Sequence, residues 1–268
     1  MSGRFARLLF MGMIAVTLAL PLFVISGVSV NEKRRLLFPP QGFSLKWYGD
    51  LFTSESWLGA VFNSLLIAVL AALLACSIAL PIAYALWRYG LFYARALYAM
   101  GIAPFILPPV ITALGFLVFW TTAGFYGQFW AVVVSHGIFL VTLPLISISL
   151  GFESIDREHL DAAQTLGADE ATLFRTVILP MVVPYLVSGY AFAFVLSLNE
   201  YIIAYMVAGF TVETLPIKVF NALRYGYTPV MASVAVVFIC VTLFVFGLVG
   251  RYGDLPRLLG AWSPEDEG

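Results

Sequence analysis

The chain has 268 residues, 62% of them hydrophobic and 11% charged, with a formal net charge of −1. Soluble domains carry about a quarter charged residues, so this composition cannot cover a water-facing surface and places the chain among membrane proteins. The near-neutral charge offers no basic surface for nucleic acid. Cys76 and Cys240 stand singly within apolar runs, which excludes a disulfide framework or a CxxC site, and both thiols are expected to be buried.

A helix needs about 20 apolar residues to cross the hydrocarbon core. Arg4 and Arg7 precede the run Leu8–Val28, which is too long for a signal-peptide core and has no clean cleavage site, so it predicts an uncleaved first span. Ser29–Ser56 follows, with Pro39-Pro40 and the aromatic stretch "FSLKWYGDLF"; it is too short for a domain and reads as a lip. Trp57–Trp87 is free of charge and holds a second span. Ala96–Phe152 is also uncharged and long enough for two, with "TTAGFYGQFW" (Thr121–Trp130) as the interfacial turn between them. Spans three and four are then Ala96–Trp120 and Phe129–Leu150, span five Pro180–Ala208 and span six Pro229–Gly250. Prolines 21, 81, 104, 108, 109, 144 and 184 lie in or beside spans, which suits kinked helices. The predicted fold is an all-α membrane protein of six transmembrane helices, a single domain over residues 1–268 that ends in a tail at 251–268.

Six spans put both termini on one side. With the N-terminus inside, the cytoplasmic set is Arg4, Arg7, Arg88, Arg95, Arg157, Arg175, Arg251 and Arg257, against Lys33, Arg34, Arg35, Lys46, Lys218 and Arg224 outside. The Arg pair before span one and the short turn Arg88–Arg95 favour cytoplasmic termini; the Lys33-Arg34-Arg35 cluster opposes them.

The segment Glu153–Leu179 is the most charged of the chain, with Glu153, Asp156, Arg157, Glu158, Asp161, Asp169, Glu170 and Arg175. It predicts two short helices. Asp156 caps the first, whose apolar edge is Leu160, Ala163 and Leu166, and Gly167 takes the left-handed position after it. Asp169 caps the second, which runs through Leu173, Phe174 and Val177 until Leu179-Pro180 stops it. Ala162 and Ala163 leave one face thin enough for another surface to approach. On local physics alone, a solvated interhelical loop would look the same.

The spacing is more particular than that. Asp161-Ala162-Ala163, Gly167, Val177 and Leu179-Pro180 fall at the offsets of the cytoplasmic Glu-Ala-Ala signature, so the segment resembles that of the permease subunits of binding-protein-dependent ABC importers. Asp161 stands for Glu and Val177 for Ile, and the shorter Asp reaches less far. The resemblance continues through "GFSLKWYGDLF", "APFILPPVITALGF", "PMVVPYLVSGYAFAFVLSLNEYIIAYMVAG" and "TLPIKVFNALRYGYTPVMASVAV", which look most like the second permease of spermidine/putrescine-type importers. It implies a type I ABC importer permease fold in a bacterial inner membrane, with residues 29–56 periplasmic and 153–179 a cytoplasmic coupling loop. It also implies that Asp161, Ala162, Ala163, Gly167, Val177, Leu179 and Pro180 couple to a cytoplasmic ATPase dimer. That dimer would hold the ATP and magnesium; this chain has no nucleotide-binding motif and needs no cofactor of its own. The other implied partners are a second, homologous permease and a periplasmic substrate-binding protein. Polyamine is the implied substrate, with another small amine, an amino-acid-like compound, a phosphonate or iron as alternatives.

Glu200 is the only carboxylate placed within a predicted span, and an acid there is a functional candidate. On a continuous helix Ser197, Glu200, Tyr201 and Ala204 share a face, with Asn199 adjacent. Hydroxyl, carboxylate and aromatic groups lining a pathway would suit a cationic amine. The alternative is an acid that bonds a neighbouring span, for which Asn63 and His136 are the candidate partners; each also reads as an ordinary interhelical hydrogen bond. No HExxH, GxSxG or Walker sequence supports a membrane enzyme, and there are no catalytic or metal-ligating candidates. A channel or secondary carrier would explain six spans and Glu200, but not the loop's spacing.

Overall fold

The computed structural model describes residues 2–225 and 228–252. The tail beyond Tyr252, Arg257 included, lies outside the described residues. Among the described residues every regular element is helical. They fall into two compact units, one of residues 2–61, 217–225 and 228–243, the other of residues 62–216 and 244–252.

The first unit holds α1 (Ser2–Ser29), α2 (Lys46–Thr53), the start of α3 (Glu55–Tyr89), most of α12 (Leu215–Tyr225) and the first part of α13 (Val230–Tyr252). No residue in the apolar window of α1 is buried within the chain. The lip after it is folded around Asn31, which is fully buried. Its Oδ1 accepts the amides of Lys33 and Gln41, and its Nδ2 donates to the carbonyls of Arg35 and Leu37. Trp47 of α2 donates to the Asn31 carbonyl at 2.6 Å, and Tyr48 pairs with Ser29 through their hydroxyls at 2.8 Å. Lys218 bonds the Ser56 hydroxyl and lies over the Trp57 ring. Cys76 is buried as expected, but Cys240 is exposed, because its stretch of α13 turns it outward.

The second unit holds the rest of α3, then α4 (Phe92–Ile106), α5 (Pro109–Ala123), α6 (Phe129–Leu140), α7 (Thr142–Glu153), α8 (Arg157–Thr165), α9 (Glu170–Leu173), α10 (Leu179–Asn199) and α11 (Ile202–Ala208). Among the described residues, four helices are long and apolar enough to cross a membrane, or up to six if each of two bent pairs counts as one span. Both pairs are bent, as their prolines suggested. The region predicted as span three is α4 and α5, bent by 111°. Its cause is Pro108-Pro109: neither nitrogen can donate, and Leu107 and Pro108 are extended with ψ of 147° and 132°. The region predicted as span four is α6 and α7, bent by 44° at Val141, one residue before Thr142 and three before Pro144. The turn at Thr121–Trp130 is where expected, with Gly124 at φ 78° and Gly127 at φ 79°.

The core of this unit is the packing of α7 on α10. Gly189 lets the chains approach so closely that a Cβ there would stand 2.7 Å from Pro144 Cα. Ser147 donates to the Tyr185 carbonyl across the same contact at 2.7 Å. Thr142 ties α7 to α4 through the Gly101 carbonyl at 2.8 Å. Small residues and hydroxyl bonds of this kind hold helices together where lipid removes the hydrophobic drive.

Candidate functional site

Residues 153–179 form a helical hairpin, and both predicted caps are present. Asp156 Oδ1 accepts the Glu158 amide at 3.0 Å, and Asp169 Oδ1 accepts the Thr172 amide at 2.9 Å. The hydroxyl and amide of Thr172 hold the exposed Asp169 carboxyl below its ordinary range. Between the helices Gly167 has φ 85°. Its amide bonds the Gln164 carbonyl at 2.9 Å and the Ala168 amide reaches back to Ala163 at 3.1 Å, the paired bonds that close a helix on a left-handed residue. A Cβ at Gly167 would meet nothing within 4 Å, so only the backbone conformation demands glycine there.

Two expectations are corrected. Leu166 does not complete the packed apolar edge. Leu160 is buried, but Leu166 is 89% exposed at the tip, since it sits at the helix end where the chain turns away. Nor does Leu179-Pro180 stop the second helix. Residues 174–178 form a π turn in which the Leu179 amide bonds the Phe174 carbonyl, and α10 continues directly from it. Proline's missing N–H and its clash with the preceding turn are tolerated where the helix is already widened. Glu170–Asn199 is therefore one helix that carries the hairpin into the membrane-length segment. Asp161 and Ala162 are exposed on α8, Ala163 is half-buried, and Val177 and Leu179 are half-buried on the junction.

The second candidate cluster is built differently from its expectation. α10 ends at Asn199, and Glu200 at ψ 124° is extended, so Ser197, Glu200, Tyr201 and Ala204 do not lie along one continuous helix. The reason is local. The Glu200 carboxylate caps the next helix by accepting the amides of Ile203 at 2.9 and 3.0 Å and of Ala204 at 3.0 Å. It also stands 3.2 Å from His136 Nε2, while His136 Nδ1 pairs with the Ser197 hydroxyl at 2.8 Å. His136 and Ser197 are buried. Asn199 is exposed and donates to the Val195 carbonyl at 2.8 Å. Tyr201 is half-buried and stacks on Tyr205, ring centroids 5.4 Å apart at 24°. Asn63 is not a partner of Glu200; its amide donates to the Glu213 carbonyl at 3.0 Å.

A charged hairpin continuous with a membrane-length helix, with a polar break at the far end of that helix, is the geometry to compare with known proteins. The family described as binding-protein-dependent transport system inner membrane component matches residues 75–253. The chain belongs to that family. This inner membrane component is 31% identical over 243 residues to the spermidine/putrescine transport system permease protein PotC of Haemophilus influenzae, covering 91% of this chain and 94% of that one. It is 32% identical over 249 residues to the putrescine transport system permease protein PotI of Escherichia coli, covering 90% and 85%. Its fold is similar to that of a bacterial ABC transporter involved in the import of the acidic polysaccharide alginate, with TM-score 0.70 and 18% identity over 92% of this chain and 95% of that one. The protein is thus a permease subunit of a bacterial inner-membrane ABC importer and not an enzyme.

The sequence reading missed three features of the site. The Arg88–Glu170 ion pair joins residues too far apart in the chain for pattern to reveal. The stacked Tyr205 and the exposure of Leu166 carry no local signal either.

Proposed function

We propose that this permease forms one half of a polyamine pathway with six spans and both termini in the cytoplasm. The observation that carries the reading is the capped hairpin running without a break into α10. A rigid helix that starts in the hairpin and ends in the membrane transmits rigid-body motion, where a flexible loop would absorb it. The exposed Asp161 and Ala162 and the 89% exposed Leu166 present a mixed acidic and apolar face. That face is the proposed contact for a cytoplasmic ATPase dimer, with Gly167 setting its angle and Val177, Leu179 and Pro180 joining it to α10. A second homologous permease completes the pathway, and a periplasmic binding protein delivers substrate. ATP and magnesium act on the ATPase, and the pair alternates between inward- and outward-facing states.

Spermidine or putrescine is the substrate supported by the two relatives above. In the pathway, the stacked Tyr201 and Tyr205 rings offer faces for an ammonium group, and Asn199 offers an exposed amide. Ser197 and Glu200 act from behind them, since both are engaged by His136. Uptake of radiolabelled spermidine and putrescine into liposomes holding the assembled transporter tests this. Saturable, ATP-dependent uptake is expected. Transport of 2-aminoethylphosphonate, an amino acid or ferric iron instead would reassign the substrate and leave the importer class intact.

A further inference from the structure

Arg88 stands in the last turn of α3, and Glu170 in the first turn of α9. Arg88 Nη2 donates to Glu170 Oε1 at 2.5 Å. Each charge also suits its own helix end, a cation at a C-terminus and an anion at an N-terminus. Behind the pair, the Tyr84 ring meets Phe174, the first residue of the π turn, at 5.0 Å and 71°. It also meets Phe152, in the last turn of α7, at 5.8 Å. Trp87 stacks on the same Phe152 at 5.2 Å and 19°, and Phe152 is completely buried. Among the described side chains, the other limb of the hairpin has no ion pair or ring contact of this kind with α3. Towards α8 a cavity of about 480 Å³ opens, lined by Trp87, Arg88, Glu153, Asp161 and Gln164.

The end of α3 is therefore fixed to the hairpin's second limb by one ion pair and one aromatic contact, and to the end of α7 by two more ring contacts. An exposed ion pair contributes little stability by itself. One that is backed by packed rings fixes register, because the rings allow only one setting of the two helices.

We propose that the C-terminal end of α3 is a second output of the hairpin, with Arg88, Tyr84 and Trp87 as positioning residues that make α3 move with α9. The inference rests on the coupling role proposed above. α10 receives hairpin motion through its own backbone; α3 receives it through these side chains, and α7 through Phe152. A displacement at α8 and α9 then reaches three membrane helices at once.

The test uses the complete transporter in liposomes, with its ATPase, second permease and binding protein. Spermidine taken up per ATP hydrolysed is measured for Arg88→Glu, for Glu170→Arg and for the charge-exchanged double variant. Each single variant is expected to lower the ratio at least threefold at unchanged membrane abundance, and the double variant to return within twofold of the starting value. An unchanged ratio in the single variants, or a double variant no better than either, overturns the inference.

A second readout does not depend on the substrate. In a Cys76→Ala, Cys240→Ala background, Arg88→Cys and Glu170→Cys are joined by a short bis-maleimide. Equal cross-linking in nucleotide-free and ATP-trapped complexes, with ATP hydrolysis retained, is expected. Cross-linking in one state only, or arrest of hydrolysis, shows that α3 and α9 move separately. Gly167→Val distinguishes the two levels: if it uncouples transport while Arg88→Glu does not, coupling stands and the α3 inference falls. If Gly167→Val leaves transport coupled, the underlying role itself fails.

Discussion

The Glu200 carboxylate lies 3.2 Å from His136 Nε2, with the two side chains 9% and 1% exposed, and the same carboxylate caps α11. One residue thus fixes the break between α10 and α11 and ties it to α6. Removing His136 leaves the buried carboxylate with its backbone amides alone, a loss of about 1.5–3 kcal/mol. His136→Leu is therefore expected to lower the unfolding temperature of the detergent-purified protein strongly. Glu200→Gln still accepts backbone amides and is expected to cost only about 1–2 kcal/mol. The double variant should be more stable than the sum of the two losses, because each has already removed the same interaction. Strict additivity in thermal unfolding would refute the pairing.

Gly167 separates conformation from space. Its φ of 85° disfavours any side chain, yet nothing lies within 4 Å of a Cβ there. Gly167→Val is expected to strain the turn by about 1–2 kcal/mol and to lower uptake per ATP. Gly167→Asn, which tolerates the left-handed region, should keep most of the coupling. Measuring both in liposomes checks this; equal loss in the two would mean that size, not backbone conformation, matters.

Gly189 presents the opposite case. A Cβ there would lie 2.7 Å from a backbone atom of Pro144, whereas one at Gly247 would meet nothing within 4 Å. Gly189→Ala is expected to cost about 1–3 kcal/mol by overpacking α7 against α10. Gly247→Ala should be neutral or stabilising by up to about 1 kcal/mol. Thermal unfolding of the two variants in one detergent should place them on opposite sides of the parent, or the close α7–α10 approach is wrong.

Asp169 gives a pH prediction. Its carboxyl is held below the ordinary value by the Thr172 hydroxyl and amide. A depressed folded-state pKa means that the cap contributes above the unfolded-state pKa and is lost as pH falls through the lower folded one. Amide exchange of Ala171 to Leu173, corrected for intrinsic rate, should stay protected through the usual carboxylate range and rise only below it. Asp169→Asn, which keeps an acceptor, should remove this acid-dependent step while preserving protection at neutral pH. An acid step that persists in Asp169→Asn would assign it to another group.

The caps and the left-handed glycine were legible in the sequence because each depends on neighbours within four residues, and the loop spacing because it lies in one contiguous stretch, Asp161–Pro180. Asp156, Gly167 and Asp169 lie where that logic places them. Pro180 was misread because the rule for an interior proline takes the preceding turn to be α-helical, and a π turn there absorbs the defect. Glu200 was misread as part of a helical face because its carboxylate outcompetes the helix by capping the next one. Arg88 and Glu170 meet across 82 positions, and only the fold brings them together.

The central claim is that the α8 hairpin tip meets the ATPase. Photo-crosslinking in whole cells tests it directly, with a benzophenone amino acid placed at Ala162 or Leu166 and, as control, at Gln41 in the lip. The account predicts an adduct with the ATPase subunit from Ala162 and Leu166 and none from Gln41. An ATPase adduct from Gln41, or none from either hairpin position in a transporter that still imports, would contradict it.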